Sequence, residues 1–190
     1  NVQYFFWATQ DSIVYVNSHS SQDSLRLFTI DIHSEKSNHL IAPTKRNLRW
    51  VTPTYAYNGE LLAQMNQRDS TIFDLYRIPL NGSGARLVET NTGNITNWMR
   101  SPDGKVRVAL SNDSVESILW YRAEEYMPYS NIVQTDYGTS IYPFGAIGDS
   151  KNRVFALSNR GRDKQAIVKL DLQTGDEEVI THDPNADLNF

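Results

Sequence analysis

Apolar residues in this chain come in runs of four to seven, rich in aromatic and β-branched side chains and parted by Gly, Asn, Asp and Ser. No long stripe at helical spacing interrupts them, so the pattern predicts strands and tight turns with almost no helix. Strands are expected at 52–57, 60–66, 73–78 and 85–88, and again at 144–147, 153–158, 166–171 and 177–181. The turns agree with this spacing. Ser101-Pro102-Asp103-Gly104-Lys105 supplies Pro to preset φ and Gly for a left-handed position, and Asn81-Gly82-Ser83-Gly84 and Gln173-Thr174-Gly175-Asp176 recur between third and fourth strands.

The pattern repeats. Ala109-Leu110-Ser111-Asn112 returns as Ala156-Leu157-Ser158-Asn159, a shift of 47 positions. Similar offsets lay Leu27 to Ile32 over Leu75 to Leu80, Trp120 to Glu125 and Ile167 to Leu172. A repeat of about 45 residues with four strands per unit is that of a propeller blade. The fold expected is all-β, a partial β-propeller of about four blades of four antiparallel strands each, with blades near 1–48, 49–92, 93–140 and 141–190. In the third strands, Phe28, Tyr76, Tyr121 and Val168 are expected on one face, packed between blades. Thr29, Arg77, Arg122 and Lys169 alternate with them and are assigned to the rim or a channel.

Composition narrows the function. Over 190 residues the formal net charge is −4 with both signs interspersed, which leaves no basic stripe for phosphates, so nucleic acid is not an expected partner. No apolar run approaches the roughly 20 residues of a membrane span. Cysteine is absent, which removes disulfides and thiolate chemistry together. The chain starts at Asn1 without a basic-then-apolar leader and is expected to be a processed or excised piece.

Two stretches carry a family resemblance. Arg100-Ser101-Pro102-Asp103-Gly104-Lys105-Val106, followed by Val108-Ala109-Leu110-Ser111, resembles the repeat of TolB-like propellers. The stretch 153–183, from Val154-Phe155-Ala156-Leu157-Ser158-Asn159 through Val168-Lys169-Leu170-Asp171-Leu172, resembles a blade of the amino-terminal propeller of the prolyl oligopeptidase family of serine peptidases, in its dipeptidyl and acylaminoacyl branch. The resemblance implies a propeller that gates peptide access to a carboxy-terminal α/β-hydrolase domain, for which this chain is too short. The expected partners are that hydrolase domain and a peptide substrate, and the implied compartment is periplasmic or extracellular. An open array of blades also leaves apolar end faces, so the chain is expected to self-associate through its end blades or to keep an open arc. The alternative is a TolB-like propeller that binds a protein partner and has no linked enzyme.

No catalytic constellation accompanies the repeats, so no catalytic residue, cofactor or metal is expected. Gly82-Ser83-Gly84 is too short for a nucleophile elbow. His19, His33, His39 and His182 lack metal-ligand spacing. Trp7, Trp50, Trp98 and Trp120 fit core or blade packing better than a sugar platform, and 160–164 reads as a charged hairpin tip. Glu124 and Glu125 stand out, because Glu125 breaks an otherwise apolar column and a carboxylate there must be paired or hydrated. Paired propeller glutamates in dipeptidyl members of the resembled family bind the substrate's terminal amine, which makes Glu124 and Glu125 the candidate substrate-binding residues. The other reading of the pair is a strand that ends early into a solvated loop.

Overall fold

The computed structural model describes residues 2–18, 25–41, 48–51 and 56–189. Within them the chain forms strands alone, in four antiparallel sheets whose neighbours follow chain order. The first holds β1 (Val2–Trp7), β2 (Ser12–Ser18), β3 (Leu25–Asp31) and β4 (Ser37–His39). The second holds β5 (Leu48–Val51), β6 (Glu60–Met65), β7 (Asp74–Pro79) and β8 (Arg86–Glu89). The third holds β9 (Ile95–Arg100), β10 (Val106–Asn112), β11 (Glu116–Tyr121) and β12 (Ser130–Asp136). The fourth holds β13 (Ile141–Ala146), β14 (Arg153–Ser158), β15 (Ala166–Asp171) and β16 (Glu177–His182). This four-strand meander, four times over, is the blade architecture of a β-propeller.

The chain divides into two compact units, Asn1–Gly93 with the first two sheets and Asn94–Phe190 with the other two. In the first unit, Val14, Val16 and Leu27 of one sheet pack with Leu61, Ala63, Met65, Tyr76 and Ile78 of the next. In the second, Val108, Leu119, Tyr121 and Val133 pack with Val154, Ala156, Val168 and Leu170. Burying these apolar side chains between sheets is the main favourable term, at about 25 cal/mol for each Å² withdrawn from water. Gly175, in the turn before β16, shows how closely the sheets approach. Its φ is +77°, and a Cβ there would stand 3.0 Å from the Ile132 carbonyl oxygen of the third sheet.

Two expectations need correction. Ladder pairing sets Ala63 opposite Tyr76, Ala109 opposite Trp120 and Ala156 opposite Val168. By this pairing Trp120 holds the position that matches Tyr76 and Val168, while Tyr121, on the other face of its sheet, is buried against the fourth sheet. Of the polar residues between column positions, Thr29, Arg77 and Arg122 are buried and not at a rim, whereas the Lys169 side chain is 42% exposed. Arg122 Nε donates to the Val106 carbonyl at 3.0 Å and its guanidinium lies 4.4 Å from the Tyr129 ring centroid, and Arg77 stands 4.0 Å from Glu60. Paired in this way, a cation can be buried. The strand expected at 52–57 is represented by β5, four residues earlier, and 52–55 lie outside the described residues.

The first sheet differs on its other face. Phe5, Tyr15, Phe28 and His39 pair in one row across all four strands. The Tyr15 and Phe28 rings stack at 5.0 Å, and His39 lies 4.6 Å from Phe28. Phe5 is nevertheless 67% exposed and Trp7 44%. Burial, followed by the charge of Arg26, pushes the His39 imidazole below its ordinary pKa.

Leu119 is completely buried between the third and fourth sheets. Leu119→Ala is expected to cost about 2–5 kcal/mol of unfolding free energy, read as a lower urea midpoint with an unchanged slope.

Candidate functional site

Glu124 and Glu125 follow the end of β11, where the chain turns and Met127 N donates to the Glu124 carbonyl at 3.0 Å. The strand does end early, yet neither carboxylate is left to solvent alone. Glu124 Oε2 is bound by Lys105 Nζ, and its other oxygen lies 3.6 Å from the Arg107 guanidinium. Glu125 Oε1 accepts the Val106 amide at 2.7 Å. Both side chains therefore reach back to the start of β10, across the hairpin from their own strand.

Arg107 is the centre of this cluster and is fully buried. Its guanidinium grips Asp103 with two bonds, at 2.5 and 3.0 Å, and its Nε donates to the Ala123 carbonyl at 2.7 Å. Asp103 sits in the turn predicted from Pro102 and Gly104, closed by Ser101 N on the Lys105 carbonyl at 2.9 Å. Lys151 approaches Asp103 to 3.8 Å from the last sheet. The Arg107 hydrogen bonds hold the Asp103 carboxyl below the usual carboxylate range. The Lys105 bond does the same for Glu124. Three cations, Lys105, Arg107 and Lys151, thus approach Asp103 and Glu124, and Glu125 accepts a backbone amide, so an incoming ammonium meets carboxylates that are already engaged.

A second feature lies at the other end of the third sheet. The β10–β11 hairpin and the β12–β13 connection enclose a cleft of about 510 Å³. Asn112, the last residue of the repeated sequence word, lines it and fixes the hairpin by accepting the Ser114 amide at 2.8 Å. The repeat drew attention to this asparagine without disclosing the cleft. A corresponding cleft of about 410 Å³ stands at the β14–β15 hairpin and is lined by Arg162, Lys164 and His182 among others.

The remaining candidates are structural. Ser83 N donates to Asn81 Oδ1 at 3.0 Å within a turn. His33 pairs with Asp11 at 3.1 Å on the surface, and His19 lies outside the described residues. Arg160 and Arg162 reach the nearly buried Glu177 at 3.3 and 2.8 Å, so the charged hairpin is anchored and not merely solvated. Trp98 is buried and Trp120 donates to Ser111 Oγ at 2.8 Å; the Trp50 side chain lies outside the description. Among the described residues, no three His, Asp or Glu side chains converge as a metal site would require.

Sheets of this order, packed face to face around a repeated strand pattern, define a propeller segment. No family model matches the chain. It is homologous to part of dipeptidyl aminopeptidase BIII of Pseudoxanthomonas mexicana, at 22% identity over 98% of this chain and 27% of the relative. Its fold is also that of a segment in a puromycin-hydrolysing peptidase of Mycobacterium tuberculosis, with TM-score 0.65 and 12% identity over 94% of this chain and 29% of that one. A structure from a study of two prolyl endopeptidases matches with TM-score 0.59 and 17% identity over 93% of this chain and 28% of that one. The chain thus spans less than a third of these relatives.

The lowered pKa values fix a sign for acid stability. A carboxylate depressed in the folded state lends stability that is complete above its ordinary pKa, about 4, and is lost as pH falls through the folded value. Wild type is expected to lose more unfolding free energy than Asp103→Asn between pH 6 and pH 3, measured by urea titration, because the variant lacks one of the groups that must be protonated.

Proposed function

We propose that this chain is the propeller portion of a serine peptidase, screening and orienting peptides before they reach a hydrolase domain carried elsewhere in the parent protein. The observation that carries this reading is homology along 98% of the chain to 27% of a dipeptidyl aminopeptidase. A rigid set of sheets contributes by controlling access and by excluding water from the reacting centre. The chain itself supplies scaffold and loops, and the chemistry belongs to the remainder of the parent.

Within this reading Glu124 and Glu125 hold the 101–107 turn against the third sheet. Their support is geometric, since each already has a partner on β10 or its turn. The reading as an amine-binding pair is separated from this one by kinetics. In the parent enzyme, Glu124→Gln and Glu125→Gln are expected to leave KM for a dipeptidyl p-nitroanilide within about twofold. A rise of about tenfold or more, absent with an N-acylated substrate, would assign the pair to the substrate's amine instead.

The purified chain is expected to release no p-nitroaniline from aminoacyl or dipeptidyl substrates; turnover that survives rigorous purification would overturn the assignment. The aromatic face carrying Phe5 and Trp7 is expected to find a cover, a second copy when the chain is alone. Light scattering should then show a mass that rises with concentration, and Phe5→Ser/Trp7→Ser should lower it.

A further inference from the structure

The cleft at the β10–β11 hairpin carries an electrostatic arrangement that the fold does not require. Glu116 and Asp136 stand directly opposite each other where β11 pairs with β12. Like charges at facing positions of a ladder repel. Both residues line the cleft, and none of its other lining residues is Lys, Arg or His. Gln134 donates to Glu116 Oε2. No side chain among the described residues pairs with the Asp136 carboxylate. The corresponding cleft of the next sheet mixes Asp163 and Asp183 with Arg162, Lys164 and His182, so a lining with carboxylates and no cation belongs to this hairpin and not to the blade pattern.

The rims add apolar surface. Val115 at the hairpin tip is 72% exposed and Tyr137 on the connection 90%. Such side chains standing in water on two walls of one cleft mark a surface that awaits contact. The Tyr137 wall is held in place, because Asn159 donates to the Gly138 carbonyl at 2.9 Å and accepts the Ser140 amide at 2.7 Å. A pinned backbone loses little freedom on binding, which favours affinity.

We propose that this cleft docks an extended basic peptide segment, with a Lys or Arg head between Glu116 and Asp136 and the flanking apolar residues against Val115 and Tyr137. A cation placed there relieves the repulsion between the two carboxylates, and the tyrosine face offers it a further attraction. The peptide is chosen over an anionic or purely apolar partner by charge complementarity. The inference stands whether or not the segment gates a hydrolase.

Calorimetric titration of the full chain at low ionic strength with N-acetylated, C-amidated Lys-Leu-Lys-Leu-Lys and its Glu-Leu-Glu-Leu-Glu counterpart tests it. The lysine peptide is expected to bind and the glutamate peptide not. Glu116→Gln/Asp136→Asn should weaken lysine-peptide binding by about tenfold, and Tyr137→Ala by about threefold. Asp163→Asn/Glu178→Gln removes the same formal charge from exposed sites elsewhere and should leave binding unchanged, with circular dichroism confirming that each variant is folded. Equal binding of the two peptides, no effect of the cleft variants, or an equal loss in the control pair would each overturn the proposal.

Discussion

Face-to-face packing of neighbouring sheets is the constraint from which the other features follow. A sheet that is covered must present apolar side chains in a fixed register, and a slip of one residue turns every one of them away. In the second and fourth sheets the second strand meets this demand with a small residue, Ala63 or Ala156, set opposite a larger one on the third strand, Tyr76 or Val168. Small against large lets neighbouring layers interdigitate at native density. The first sheet places Tyr15 opposite Phe28 at the matching position. Two large rings side by side build a broad aromatic face, and its outermost members remain in solvent.

Charge is used differently from apolar burial. Arg68 closes on Asp74 with two bonds of 3.0 Å, Arg107 on Asp103, and Arg160 and Arg162 on Glu177, so the second, third and fourth sheets each have an arginine-carboxylate tie. Buried ion pairs contribute little net stability once desolvation is counted. The bidentate geometry of Arg68 and Arg107 and the paired grip of Arg160 and Arg162 on Glu177 do constrain direction, and each tie fixes a loop relative to a strand. The Glu124 and Glu125 contacts belong to the same scheme. They fasten a turn to the sheet that the apolar core has already formed.

Much of this was legible from residue order, and the gaps have physical causes. In the last unit 153–158 and 166–171 coincide with β14 and β15, because alternating runs bounded by Gly and Asp leave one reading. At the third strand of the third unit, Trp120 and Tyr121 are adjacent aromatics, and hydrophobicity alone does not say which one matches Tyr76 and Val168. The strand partner decides it, and Ala109 opposite Trp120 is visible only after folding. Glu125 was recognisable as a break in an apolar column. Its partner, the Val106 amide, lies across the hairpin, and a backbone amide leaves no mark in a sequence. The cleft acids were hidden for a related reason: Glu116 and Asp136 become neighbours only through ladder register.

The repeat also shows where this scaffold is free to vary. Asn66, Asn112 and Asn159 all follow an alanine by three positions, and each makes side-chain hydrogen bonds that shape the hairpin or an adjacent connection. Beyond that shared asparagine the chains diverge, to Gln67-Arg68-Asp69, Asp113-Ser114-Val115 and Arg160-Gly161-Arg162. The anchor is bound by packing, whereas the hairpin tips are not, and loops held by a rigid scaffold are where binding chemistry accumulates. One strand-end position can therefore carry a cleft lined by carboxylates alone in one blade and by mixed charges in the next without disturbing either core. The chemistry of these tips can change while the packed faces stay as they are.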